Sequence, residues 1–187
     1  MTRILFTLAT LSVLLLVAAF VVGLLIGNLY DAPSQTTLHW ATIHRLTGIV
    51  AGGVVVRVES GIVVYSIGPS RWCKEVVETY SLDYGPVRES NRLKRRAFAT
   101  SLLGMLTIVG VIALGAANDP ATGRPDTQAW NAFHLAASIA GSCFIAWTYV
   151  AGWQYIRANQ AIIQQIVADV ARIRREKGLE PATHAVG

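Results

Sequence analysis

The chain has 187 residues, 53% of them hydrophobic and only 14% charged, and its mean hydropathy is +0.46. The net charge of +5 would suit nucleic acid, but the basic residues lie between and after long apolar runs, as the flanks of membrane spans do, so a nucleic-acid partner is not expected. Two cysteines, Cys73 in a basic stretch and Cys143 in an apolar one, form neither a disulfide framework nor a zinc site. Cys143 reads as a small packing residue.

Four apolar segments are long enough for a bilayer, whose core takes about 20 helical residues. Residues 4–30 carry no charge and are too long for the apolar core of a signal peptide, so they form a retained first span. The second span, 40–68, is apolar but holds Arg45, Arg57 and Glu59, and Pro69 is expected to end it. The third, 97–117, is uncharged and stops at Asn118-Asp119-Pro120. The fourth, 127–156, has no formal charge and carries His134.

Orientation follows from lysine and arginine. Residues 69–96 hold seven (Arg71, Lys74, Arg88, Arg92, Lys94, Arg95 and Arg96), and the stretch after Ile156 holds five. The loop 31–39 has none, and the one before Thr127 has only Arg124. The positive-inside rule then places loop 69–96 and both termini in the cytoplasm, as for a bacterial inner-membrane protein. The expected fold is all-α: a single integral membrane domain, a four-helix bundle with cytoplasmic helical extensions.

Those extensions have their own pattern. Trp72, Val76 and Tyr80 recur every four residues, predicting an amphipathic helix over 70–82. Ile163, Ile166, Val170 and Ile173 form a stripe on a helix over 157–178. The two stripes are expected to pack on each other, with an oligomer seam or a partner site as the alternatives. Residues 179–187, with His184, read as a disordered tail.

The second and fourth spans open alike. Trp40, His44, Gly48 and Ile49 match Trp130, His134, Ser138 and Ile139 at an offset of 90, consistent with two parallel repeats of two helices. Each tryptophan suits an interfacial anchor, and each histidine follows one turn deeper. Gly48 and Gly52 follow His44 on one face; Ala137, Ser138 and Gly141 follow His134. Small residues allow close helix approach, and they also leave room for a flat ring. Two opposed imidazoles above such faces suit the axial ligands of a haem iron. Arg45 would bind a propionate through its guanidinium fork, or else snorkel to the interface. The competing view is helix packing alone, for which Gly23-x-x-x-Gly27 in the first span offers an example with no histidine. His39 reads as an interfacial residue that could stand in as a ligand.

The run His44-Arg45-Leu46-Thr47-Gly48 and the run His134-Leu135-Ala136-Ala137 resemble the openings of the second and fourth helices in the haem A synthase family. Its members have two four-helix halves, each holding a haem between histidines on those helices. The resemblance implies that His44 and His134 form an axial pair. This chain corresponds to one half, lacks a glutamate just before the first histidine, and lacks the cysteine pair of the first outer loop. His-Arg-x-Thr-Gly also resembles a motif of the membrane cytochrome b subunit of succinate dehydrogenase, where the arginine serves a quinone site on the inner side.

Arg57 and Glu59 are two apart on a helix and point to nearly opposite sides. They fit an intermolecular ion pair, a quinone or proton site, or a plain position at the inner interface. The expected function is a haem b-binding electron-transfer protein, working with quinone or within a homo-oligomer or larger complex. The alternative is a non-catalytic four-helix scaffold or small subunit. An enzymatic role, haem-modifying or quinone-linked, is the least favoured.

Overall fold

A computed structural model describes residues 2–179; the expected tail with His184 lies outside them, apart from Leu179. The described chain is all-helical. Four long helices follow one another: α1 (Thr2–Leu24), α2 (Gln35–Tyr80), α3 (Gly85–Asn118) and α4 (Asn131–Glu176). Each is long and apolar enough to cross a membrane. Two 3₁₀ turns, Pro120–Thr122 and Thr127–Trp130, connect α3 to α4.

The helix ends have local causes. Helix α1 stops at Leu24, six residues before the apolar run ends. Beyond it the Asn28 carboxamide accepts from the backbone of Tyr30 and Asp31 and folds the chain into a turn. Helix α2 starts earlier than expected because Ser34 caps it, its Oγ accepting from the Thr37 amide at 3.1 Å. At its other end Ser81 adopts a left-handed φ of 52° and the Leu82 amide reaches back to the Val77 carbonyl. Gly178 repeats this closure after α4, with Leu179 bonded to the Arg174 carbonyl. Both are Schellman ends.

Pro69 does not end the second helix; α2 runs through it to Tyr80. A proline there removes one backbone hydrogen bond and crowds the carbonyl four residues back. The residues beyond it hold the helix on course, because Cys73 and Val77 are locked into a buried cluster. Residues 69–96 are therefore a helical hairpin turning at 81–84, with the expected amphipathic stretch forming the end of α2.

The described chain divides into two compact units. The first comprises the described residues up to Gly61 and Thr100–Val150; the second comprises Ile62–Ala99 and those from Ala151 onward. Helices α2, α3 and α4 pass from one to the other without a break.

The first unit is apolar outside and mixed inside. Phe6, Leu14, Val21, Leu46, Ile49 and Leu106 are exposed, whereas Ser12, Glu59, Ser101 and Thr148 are buried. That inversion suits a lipid surround, where burial does not favour apolar over polar packing as it does in water. Cys143 is exposed too, not packed.

The second unit is organised around a mainly apolar buried cluster. Cys73, Val77, Val87 and Ile166 form its buried centre, with Trp72, Val76, Leu82, Ile162, Ile163 and Val170 around them. The expected stripes meet in part: Trp72 and Val76 of α2 and Ile163, Ile166 and Val170 of α4 join this cluster, but the buried α2 members are Cys73 and Val77. Ser90 donates to Asn159 at 2.8 Å and Ser70 to Asn91 at 2.9 Å within this unit.

Candidate functional site

His44 and His134 come together in the first unit. Their ring centroids are 6.1 Å apart and the rings stand at 80° to each other. Both residues are half-buried.

Each ring lies against a glycine of the preceding helix. A Cβ on Gly23 would stand 3.0 Å from His44 Cε1, and one on Gly115 would stand 3.0 Å from His134 Cε1. Backbone carbonyls complete the setting. His44 Nδ1 is 2.9 Å from the Ala19 carbonyl, four residues before Gly23. A carbonyl can only accept, so Nδ1 carries the proton and Nε2 is left with a free lone pair. The Val111 carbonyl, four residues before Gly115, bears on His134. Nδ1 of His134 is buried without a well-aligned hydrogen bond.

The repeat therefore includes all four helices. Positions on α1 and α3 correspond at an offset of 92, and those on α2 and α4 at 90. A second level obeys the same offsets. Ser12 Oγ and Tyr149 OH share a hydrogen bond of 2.7 Å, and their equivalents, Gly104 and Glu59, are also in contact. The α1 and α3 half of the repeat was missed by sequence reading, which took Gly23-x-x-x-Gly27 as a pattern without a histidine. Gly27 backs Thr37, with a Cβ 3.1 Å from its Oγ1.

The other expected site residues are placed as follows. Arg45 Nε is 2.7 Å from Asp119 Oδ2, so its charge is held by the turn after α3. Gly48 faces open space, with nothing within 4 Å of a Cβ. Ser138 Oγ donates to the His134 carbonyl at 2.8 Å, a bond within its own helix. Below this level the small-residue faces are filled by α3, not left as a slot. Ile108 and Ile112 press on Gly52, and Thr107 and Val111 press on Gly141. His39 is exposed and stacks edge-on near Trp40.

Arg57 is exposed and Glu59 fully buried. Glu59 is thus enclosed within its own chain. Among the described residues no group of three or more His, Cys, Asp or Glu is placed to hold a metal ion; the histidines form a pair only. No family model, curated protein or solved structure matches the chain.

Proposed function

We propose that this chain is a haem b-binding electron-transfer protein of a bacterial inner membrane, in which His44 and His134, near the outer face, would hold the haem iron. The orientation rests on the lysine and arginine distribution, which puts both termini and the second unit in the cytoplasm. The observation that carries the reading is the matched setting of the two rings. The two ring centroids stand 6.1 Å apart, close enough for both imidazoles to reach one metal ion. A carbonyl that fixes the Nδ1 proton, as Ala19 does for His44, is the usual outer support of a metal-binding histidine. The donor pair and its glycine backing thus fit the group, and the resemblance to one half of a haem A synthase points the same way.

Haem b bound there would supply a one-electron couple. The residues of the chain hold and insulate it. Gly23 and Gly115 would set the two rings, and the Ala19 carbonyl would select the Nε2 lone pair of His44. Arg45, already tied to Asp119, offers its remaining guanidinium nitrogens to a carboxylate at the same boundary. Quinone is the favoured exchange partner, in a homo-oligomer or a larger complex.

The test is a dithionite-reduced spectrum of the purified protein. Soret and alpha bands should be present and should vanish in His44→Ala and His134→Ala, but not in His39→Ala. A protein without such bands after expression with ample haem overturns the reading. The scaffold reading would then take its place, since the buried centre of the second unit gives the long helices a rigid non-membrane platform.

A further inference from the structure

Glu59 is the one acid buried in the first unit, and its hydrogen bonds can be counted. Its side chain is 0% exposed. Oε1 is 2.5 Å from Thr148 Oγ1. The same Thr148 Oγ1 is 2.7 Å from the Ile145 carbonyl. A threonine hydroxyl has one proton, and a backbone carbonyl can only accept. If Thr148 gives its proton to Ile145, it must accept from Glu59, and a carboxyl can donate only when protonated. Thr148 Oγ1 is placed to donate to Oε1 as well as to the Ile145 carbonyl, and its one proton cannot serve both; a protonated Glu59 donating to Thr148, which in turn donates to Ile145, satisfies both contacts.

The surroundings agree. The groups acting on the carboxyl are hydroxyls, Thr148 from α4 and Ser101 from α3, with no cation among them. Tyr149 is near enough to feel a charge at Glu59, and it is tied to Ser12 of α1. Arg57, on the same helix, is exposed on the other side. An ionised carboxylate so placed would be buried without a counter-charge, which is strongly unfavourable. Oε2 has no well-aligned hydrogen bond. Gly104 explains why: it occupies the position equivalent to Ser12, and it has no hydroxyl to offer. Its bare Cα lets the carboxyl in, since a Cβ there would collide with Oε1.

We propose that Glu59 is a proton-binding site of the membrane bundle, holding its proton on the hydrogen bond to Thr148 and keeping one oxygen open to a second hydroxyl or water. The site lies roughly 22 Å along α2 from His44, fifteen residues at 1.5 Å each. It does not depend on haem: its ligand is the proton, and the apo-protein carries it.

Infrared spectroscopy of the apo-protein in lipid nanodiscs tests this directly. At pH 7 a protonated-carboxyl C=O band is expected. It should shift on transfer to D₂O, more slowly than backbone amides of the exposed 81–84 turn exchange. Glu59→Gln should remove it and Glu75→Gln should leave it. Thr148→Val should keep the band and move it to higher frequency, because the acid loses its acceptor. Wild-type and folded Glu59→Gln proteins with the same carboxyl spectrum would overturn the proposal. Should Glu59→Gln not fold, the Thr148→Val shift decides: an unshifted band, or none in wild type, overturns it equally.

Discussion

Gly23 lies against the ring of His44 so closely that a Cβ would stand 3.0 Å from Cε1 and 3.2 Å from Nδ1. Gly23→Ala must therefore move the ring or the helix. Crowding of this kind costs about 1–3 kcal/mol, against a gain of up to about 1 kcal/mol for alanine over glycine in a helix. Net destabilisation is expected, with weaker retention of any haem that the purified protein carries. Gly115→Ala should behave alike. Gly53 and Gly110, where a Cβ meets nothing within 4 Å, are the controls: alanine there should be neutral or stabilising in thermal unfolding. Equal effects at all four sites would show that the rings do not need their glycines.

Arg45 and Asp119 join α2 to the turn after α3 at 2.7 Å, but the arginine side chain is 40% exposed. Partly exposed pairs contribute about 0–1 kcal/mol. Asp119→Asn should lower the melting temperature slightly, and the difference from wild type should shrink in high salt. The variant should also free Arg45 to respond to a bound carboxylate, read as a change in haem midpoint potential. A salt-independent loss of several kcal/mol would mean that the turn itself, capped by Asp119 accepting from the Ala121 amide, is what was damaged.

Cys73 is fully buried in the second unit, and burial pushes its thiol pKa up. At pH 7 it should resist maleimide in the folded protein and react after unfolding. The sign of the pH effect follows. The unfolded thiol ionises at the ordinary value, the folded one only above it. The stability due to burying the neutral thiol is complete below the ordinary value and is lost as pH rises through the raised one. Cys73→Ala should flatten that alkaline limb of a melting-temperature profile.

Ile166 sits at the centre of the second unit, 1% exposed. Ile166→Ala should cost about 2–5 kcal/mol there. The readout is proteolysis: cleavage after Arg172, Arg174 or Arg175 should accelerate, while the absorbance of any bound haem stays unchanged. Loss of that absorbance at the same rate would show that the two units unfold together.

Much of this was legible in the residue order. The four long apolar helices, the meeting of His44 with His134, and the partial meeting of the 163–173 stripe with the 72–80 stripe all follow from period and spacing. Pro69 misled, because local geometry disfavours a helix there and only the anchoring of Cys73 and Val77 beyond it outweighs that. The backing of His44 by Gly23 was hidden for a different reason. A glycine has no side chain to signal which neighbour needs its absence, and the α1 and α3 offset differs by two from that of α2 and α4. Glu59 looked like an interfacial charge because nothing in its own helix names Thr148 as its partner, 89 positions away.

The two offsets have one more consequence. A bundle assembled from two identical hairpins would carry either an acid at both lower positions or a phenol at both. Two facing acids would repel if both ionised, and two phenols would stay neutral well above neutral pH. Joining the hairpins in one chain lifts that constraint. At the level of the histidines the halves remain alike, whereas one level down Glu59 opposite Gly104 and Tyr149 opposite Ser12 have diverged. The bundle thus keeps its repeat at the level of the paired histidines and gives it up at the level of the single buried carboxyl.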